Sequence, residues 1–424
     1  MYAFKINGGR TLSGQVRVKG AKNAILPLMA AALLTDEPIT LRNISYLSDV
    51  LTLSDLLTSM GASVIQDTDS ITIRCNQITS TTASYDYVSK MRATFWVLGP
   101  LLGRFHQAKV SLPGGCAIGA RPVDLYIKAL EKMGAAIEID NGYVVANGPL
   151  HSAEISFPKI SVGATHNTIM AAVLTPGVTI IHNPALEPEA VDLIHLLQKM
   201  GADIQGIGTR ILTITGVSKL HGADYTVISD RIETATFAVA AALTRGRIMI
   251  KGGDLSLMQA VAETLYPSQI ELSQTPDGLL VDATRSNLAA TPITTSEYPG
   301  FPTDSQPLLT TMLSVAKGDS LVTERIYENR FMHVPELNRM GANIQTIDNK
   351  NILIHGISEL SGATVTSSDL RGGIGLVLAG LVAKGETIVQ RVYHIDRGYH
   401  HVEEKLTALG ADIIRFKQEK TNYF

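Results

Sequence analysis

Five short tracts of one kind punctuate the chain: Ser59-Met60-Gly61-Ala62, Lys132-Met133-Gly134-Ala135, Lys199-Met200-Gly201-Ala202, Arg339-Met340-Gly341-Ala342 and Ala408-Leu409-Gly410-Ala411. In each, an amphipathic stretch runs into a glycine placed where a helix end needs a left-handed residue. Recurrence about every 70 residues marks a repeated supersecondary unit. The interval from Gly201 to Gly341 is double the others, so a sixth copy is expected inside it. There the stretch Leu257 to Tyr266 reads as a helix ending in the degenerate cap Pro267-Ser268-Gln269.

Each unit also holds a helix that is apolar nearly all round: Ala24 to Leu34, Ala93 to Leu102, Asn167 to Leu174, Ala235 to Leu243, Leu308 to Ala316 and Ile374 to Ala383. A helix with so little polar face is expected to be buried. A β-branched strand follows each, as in Val178-Thr179-Ile180-Ile181 and Glu386-Thr387-Ile388-Val389. The pattern predicts an α/β protein with helices inside and sheets outside, three units closing each of two similar domains. The period alone also allows an open solenoid.

A chain of 424 residues, 45% hydrophobic and 18% charged, has ordinary globular composition. Its net charge of −3 shows no nucleic-acid footprint, so any anion site must come from local Lys and Arg. Two cysteines, Cys75 and Cys116, make no disulfide framework, and no Cys/His cluster has zinc spacing. The early apolar run Ala24 to Leu34 is too short for a bilayer span and has no basic leader, so a soluble cytoplasmic protein is expected, with no membrane contact.

The approaches to the buried helices are polar and often cationic: Lys19-Gly20-Ala21-Lys22-Asn23, Lys90-Met91-Arg92, Lys159 to Thr165, Asp230-Arg231-Ile232-Glu233, Pro302-Thr303-Asp304 and Asp369-Leu370-Arg371. Helix N-termini expose N–H groups and partial positive charge, so nearby Lys and Arg make anion sites. Capping is the simpler reading of the aspartates; Asp230 with Glu233 has capping-box spacing. Lys22 is different, because a cation at a helix start is opposed by the dipole unless an anion sits there. The tract Leu112-Pro113-Gly114-Gly115-Cys116-Ala117-Ile118-Gly119-Ala120-Arg121-Pro122 sets a thiol beside an arginine in a glycine-rich, anion-binding loop. Taken alone, it also reads as a surface turn with an inert cysteine.

Taken together, these tracts resemble the bacterial UDP-N-acetylglucosamine enolpyruvyl transferases over nearly the whole chain. The markers are Gly20-Ala21-Lys22-Asn23, Gly119-Ala120-Arg121-Pro122-Val123-Asp124-Leu125 after the cysteine, Ser161-Val162-Gly163-Ala164-Thr165, Asp230-Arg231-Ile232-Glu233, Gly300-Phe301-Pro302-Thr303-Asp304, Glu328 to Leu337, and Asp396-Arg397-Gly398-Tyr399. The resemblance implies a two-lobed inside-out α/β barrel with three pseudo-repeats per lobe. One lobe, residues 22–229, would carry the Cys116 loop and part of the UDP-sugar site. The other, residues 1–21 plus 230–424, would carry Asp304, Asp369, Arg371 and Arg397, with the active site in the cleft between them.

The implied reaction moves the enolpyruvyl group of phosphoenolpyruvate to the 3′-hydroxyl of UDP-N-acetylglucosamine and releases phosphate, an early step in peptidoglycan precursor synthesis. By resemblance Cys116 donates the proton to C3, and Asp304 is the base for the sugar hydroxyl. Lys22, Asn23, Arg121, Arg371 and Arg397 hold phosphoenolpyruvate, with Lys22 and Arg397 also stabilising developing charge. Arg92, Arg121, Pro122, Val123, Asp124, Leu125, Lys159, Ile160, Ser161, Val162, Asp304 and Ile326 contact the UDP-sugar. A fixed cationic array of this kind needs no metal, and no phosphate-loop lysine motif appears, so no obligatory cofactor is expected. Partners beyond the two small-molecule substrates are not read from the sequence.

Three features depart from the family pattern. Tyr126 stands where relatives often carry histidine. Gly372-Gly373-Ile374-Gly375 replaces better helix formers and is expected to loosen Asp369 and Arg371. The fourth repeat is degenerate at Tyr266-Pro267-Ser268-Gln269. The competing readings are a sister enzyme acting on shikimate 3-phosphate, which has no need of the Cys116 loop, and a non-catalytic nucleotide-sugar-binding repeat protein.

Overall fold

All five tract glycines end their helices in the left-handed region, with φ of 103° at Gly61, 93° at Gly134, 103° at Gly201, 92° at Gly341 and 103° at Gly410. The sixth copy lies where the spacing predicts it, with Gln269 taking the left-handed position at φ 58°. The computed structural model describes residues 2–88, 92–112 and 123–418, apart from the side chains of residues 92–94. Twelve repeat helices follow in chain order: α1 (Lys22–Ala31), α2 (Ser48–Ser59), α3 (Leu98–Phe105), α4 (Asp124–Lys132), α5 (Val162–Ala172), α6 (Pro188–Lys199), α7 (Arg231–Thr244), α8 (Gln259–Leu265), α9 (Gln306–Ser314), α10 (Val334–Arg339), α11 (Leu370–Val382) and α12 (Val402–Ala408).

The odd-numbered helices are the buried ones. All residues of α7 are buried, and in α1 all but Asn23. Threonines within these apolar helices are tolerated because their hydroxyls return to the preceding turn: Thr234 to the carbonyl of Asp230 at 2.9 Å, Thr236 to Ile232 at 2.8 Å and Thr311 to Pro307 at 3.1 Å. The second copy differs from expectation. Its helix begins as a 3₁₀ segment, Arg92–Val97, and turns α only at Leu98. Pro100 has no N–H to give, and the N–H of Gly99 goes to Asn167 Oδ1 at 2.8 Å, so the α ladder cannot start earlier.

Six four-stranded sheets cover the helices, and each contains one parallel pair and two antiparallel pairs. Alternating burial along strands such as Ile211–Thr215 and Asn351–His355 keeps one face on the helices and one outward. The described chain divides into two compact units, one from Lys19 to Ile228 and one combining the stretch up to Val18 with Ser229 onward. In the first, Ala223–Thr226 returns to pair in parallel with Ile39–Arg42. In the second, the N-terminal strand Tyr2–Asn7 lies between Glu386–Gln390 and Asp412–Lys417, and Ser13–Arg17 joins Arg247–Lys251. Each unit therefore holds three sheets and three buried helices around its own core.

The glycines of α11 sit against close neighbours. A Cβ on Gly372 would lie 2.7 Å from Asp369 Oδ2 and 3.1 Å from His333 Cβ, and one on Gly373 would overlap Ser367 Oγ. Beside Gly375, Thr311 donates to the Gly375 carbonyl at 3.1 Å. Larger residues would not fit this packing without a shift of their neighbours. Among the described residues, no helix is long and apolar enough to cross a membrane.

Two fully buried histidines make the fold acid-sensitive. Burial pushes His166 of α5 down to about 3, and burial, opposed by Asp369, pushes His333 down to about 4. Neither imidazole has a hydrogen-bond partner. As pH falls below the ordinary value near 6.5, the unfolded chain protonates these groups and the folded chain does not. Stability is therefore fully present above about 6.5 and is lost toward the folded values, by up to about 1.4 kcal/mol per pH unit for each histidine. Asp192, pushed up to about 6 by burial, acts in the opposite sense as pH falls through 6. Comparing denaturant unfolding at pH 7 and pH 5 for wild type, His166→Gln and His333→Gln separates these effects. Each variant should lose less stability on acidification than wild type; parallel losses would exclude the histidines as the cause.

Candidate active site

In the Lys19 to Ile228 unit, Lys22 opens α1 with its side chain 11% exposed, and Asp49, 4% exposed, places Oδ2 2.8 Å from Nζ. Asp49 lies in the first turn of α2, where a carboxylate is favoured by the dipole. Asn23, beside it, is half-buried. Nothing in the linear pattern pairs Lys22 with a residue one helix later; the acid at a helix start was the available signal, and it reads equally well as dipole compensation.

Asp124 and Leu125 form the first turn of α4, with Leu125 buried and Val123 packed at the same core. Asp124 faces Lys128 one turn on at 3.7 Å, an exposed pair of small energetic weight. Lys159 is exposed and Ile160 half-buried before α5, and Ser161 caps that helix by accepting the N–H of Ala164 at 3.3 Å. Val162 is its first residue. Cys116, Arg121 and Pro122 lie outside the described residues, as does the side chain of Arg92. Burial raises the thiol of the other cysteine, Cys75, to about 12, with Arg104 only partly opposing, which makes Cys75 inert.

In the second unit the acidic centre is Asp304. It sits in the 3₁₀ turn Thr303–Ser305, inside the turn and not at its N-cap, which is Pro302. Its Oδ1 accepts from Arg330 Nη2 at 2.8 Å, and its Oδ2 from Arg371 Nε at 3.2 Å, with Arg371 Nη2 at 3.1 Å. Both arginine side chains are 3% exposed, whereas that of Asp304 is 25% exposed. The two buried guanidinium groups thus hold a carboxylate that is itself only partly buried. Arg371 also donates to the Tyr399 hydroxyl at 3.2 Å, and that hydroxyl bonds Thr236 of α7 at 2.7 Å. Burial works against the charge on Arg371, but Asp304, then Tyr399 and Asp230, more than offset it and hold its pKa above the ordinary arginine value. Burial pushes the Tyr399 phenol up to about 12, against Arg371, leaving it neutral in this network.

A fully buried carboxylate, Glu324, fixes the surroundings of Asp304. Glu324 accepts from Thr295 Oγ1 at 2.8 Å, Thr303 Oγ1 at 2.9 Å and the N–H groups of Ile326 and Tyr327 at 2.8 and 3.1 Å. Ile326 is thereby tied to the turn that carries Asp304. Asp230 and Asp369 are true caps: Asp230 Oδ1 accepts from Ile232 and Glu233 at 2.8 and 3.0 Å, and Asp369 Oδ1 from Arg371 and Gly372 at 2.9 and 3.0 Å. The capping box is incomplete, because Glu233 is bound at 2.6 Å by Lys405 instead. Arg397 ends the 3₁₀ segment Val392–Arg397, and after burial its charge is the largest influence holding His394 below the ordinary histidine value.

Arg330, Glu324, Asp49 and Tyr399 complete these arrangements without a role assigned from sequence. Arg330 and Tyr399 fall within the resemblance tracts, but their partners are remote in the chain. Among the described residues, His401, Glu403 and Glu404 bring ligand atoms within 4.8 Å of one another. Arg415 already holds Glu403 at 2.6 Å, and the other two side chains are exposed, so this cluster shows no sign of a cation site.

A clamped carboxylate ringed by buried arginines, on sixfold repeats of buried helix and outer sheet, is suited to handling an anionic substrate beside a hydroxyl. A family profile described as EPSP synthase (3-phosphoshikimate 1-carboxyvinyltransferase) matches residues 6–406, and the chain belongs to this family of enolpyruvyl transferases. Within it, the chain is 50% identical to the UDP-N-acetylglucosamine 1-carboxyvinyltransferase of Paramagnetospirillum magneticum, covering 98% of this chain and 99% of the relative. It is 51% identical to the enzyme of that name from Granulibacter bethesdensis over the same shares. The fold matches the enolpyruvyl transferase NikO from Streptomyces tendae with a TM-score of 0.87 at 24% identity over 99% of each chain. It also matches EPSP synthase from Acinetobacter baumannii with a TM-score of 0.75 at 19% identity, covering 98% of this chain and 100% of that one.

Proposed function

We propose that the protein transfers the enolpyruvyl group of phosphoenolpyruvate to the 3′-hydroxyl of UDP-N-acetylglucosamine, at the entry to peptidoglycan precursor synthesis. The observation that carries the chemistry is the Asp304 carboxylate held by the buried Arg330 and Arg371. The choice of acceptor follows from the full-length relatives at about half identity. Asp304 takes the proton of the sugar hydroxyl as its oxygen bonds to C2, and Cys116 gives a proton to C3. The tetrahedral adduct then expels inorganic phosphate, a proton leaves C3, and the double bond re-forms. Lys22, Arg121, Arg371 and Arg397 stabilise the phosphate and carboxylate charge by electrostatics set in place before reaction. Asn23 and Arg92 line the same substrates, and Arg121 to Leu125, Lys159 to Val162 and Ile326 hold the UDP-sugar.

The test is phosphate release from phosphoenolpyruvate with UDP-N-acetylglucosamine, with shikimate 3-phosphate, or with no acceptor. Release with the nucleotide-sugar alone is expected. Release with shikimate 3-phosphate in its place would move the protein to the sister activity, and binding of UDP-N-acetylglucosamine without any release would make it a binding protein.

A further inference from the structure

Two segments assigned to the UDP-sugar, Val123 to Leu125 and Lys159 to Val162, lead into α4 and α5, and the structure joins those helices at one tight contact. Tyr126 is the third residue of α4 and Gly163 the second of α5. A Cβ on Gly163 would overlap the Tyr126 hydroxyl oxygen, and would lie 2.5 Å from the ring carbon bearing it and 3.0 Å from Cε1. The phenol therefore occupies the space that any side chain at 163 would need. The Tyr126 ring also meets Phe95 edge-on, with centroids 5.5 Å apart and planes at 85°. Phe95 is buried at 3% exposure, so the ring is braced against the core.

The position of this contact matters because of what the start of α5 offers. The first N–H groups of a helix have no carbonyl partner within it and favour an anion. Ser161 Oγ takes the N–H of Ala164, while Val162 and Gly163 are the two residues that precede it.

We infer that Tyr126 is a positioning residue for the nucleotide-sugar: its ring, braced by Phe95 and filling the side-chain space of Gly163, sets the start of α5 against the start of α4. Tyr126 and Gly163 form one steric unit: with tyrosine at 126, no side chain fits at 163 unless the ring moves. The inference rests on the proposed nucleotide-sugar substrate.

Calorimetric binding of UDP-N-acetylglucosamine, with steady-state kinetics alongside, tests it in wild type, Tyr126→Phe, Tyr126→Ala, Gly163→Ala and the double variant Tyr126→Ala/Gly163→Ala. Gly163→Ala should weaken binding by more than about 10-fold, since a methyl overlapping the Tyr126 hydroxyl forces one of the two helix starts to move, as overpacking does. Tyr126→Ala should weaken it by about 10-fold and raise KM for the nucleotide-sugar, with kcat and KM for phosphoenolpyruvate within about twofold; Tyr126→Phe, which keeps the braced ring, should stay within about threefold. The double variant should resemble Tyr126→Ala, because removing the ring removes what the new methyl strikes. Multiplicative losses in the double variant, or Tyr126→Ala binding as wild type does, would overturn the positioning role while leaving the activity intact. Wild-type protein that fails to bind UDP-N-acetylglucosamine would overturn the substrate reading and this inference with it.

Discussion

Asp304→Asn should lower kcat by roughly 10²- to 10⁴-fold, the range over which a positioned general base contributes. The substitution keeps shape and volume but takes away the charge that both guanidinium groups share. One amide oxygen can still accept from Arg330 or from Arg371, while the NH₂ group must face the other donor, where Asp304 now offers an acceptor on each side. Because those arginine side chains are almost wholly buried, removing their carboxylate should also destabilise the fold by about 3–5 kcal/mol, the scale for breaking a buried ion pair from one side. The two effects are separable. Single-turnover rates measured at a temperature where the variant is fully folded report the chemistry, and denaturant unfolding reports the pair. A variant that loses stability but turns over within tenfold of wild type would make Asp304 a structural anion and move the base elsewhere. Arg330→Met is the companion measurement: it leaves Arg371 on Asp304, so if clamping matters, kcat should fall while the proton-accepting carboxylate is still present.

What the sequence discloses here is what local backbone rules require. A helix ending in a left-handed residue needs glycine, so five repeats announce themselves at Gly61, Gly134, Gly201, Gly341 and Gly410, and the sixth, at Gln269, is found by interval. Nearly all-apolar helices cannot face water, so the inner layer is legible as well. Pairings that depend on tertiary approach are not. Lys22 shows that an anion is needed at the start of α1, but only the fold supplies Asp49. Asp304 fits a helix-start pattern, and only the approach of Arg330 and Arg371 shows that its carboxylate is used elsewhere. Gly372, Gly373 and Gly375 read as weak helix formers until Asp369, Ser367, His333 and Thr311 are seen to fill the space beside them. In each case the residue type was informative, and its partner lay too far along the chain for spacing to reveal it.

The Lys22–Asp49 pair carries the other large expectation. Asp49→Asn should lower the stability of the free protein by about 3–5 kcal/mol, because the 2.8 Å contact would keep a hydrogen-bond acceptor but lose its opposing charge at a side chain only 11% exposed. If Lys22 holds phosphoenolpyruvate as proposed, that ligand carries the missing charge. A ligand that binds only the folded state stabilises it by an amount set by its concentration over its Kd. Phosphoenolpyruvate, added with UDP-N-acetylglucosamine, should therefore raise the melting temperature of Asp49→Asn by more than it raises that of wild type. Lys22→Met supplies the control. With the lysine gone, the cation proposed to meet the ligand is removed, and phosphoenolpyruvate should give a smaller rise than in wild type. Equal ligand-induced shifts in wild type and Asp49→Asn would mean that the anion does not meet Lys22, whatever the loss of stability. A larger shift would identify Asp49 as the internal anion that keeps Lys22 in place until the substrate arrives.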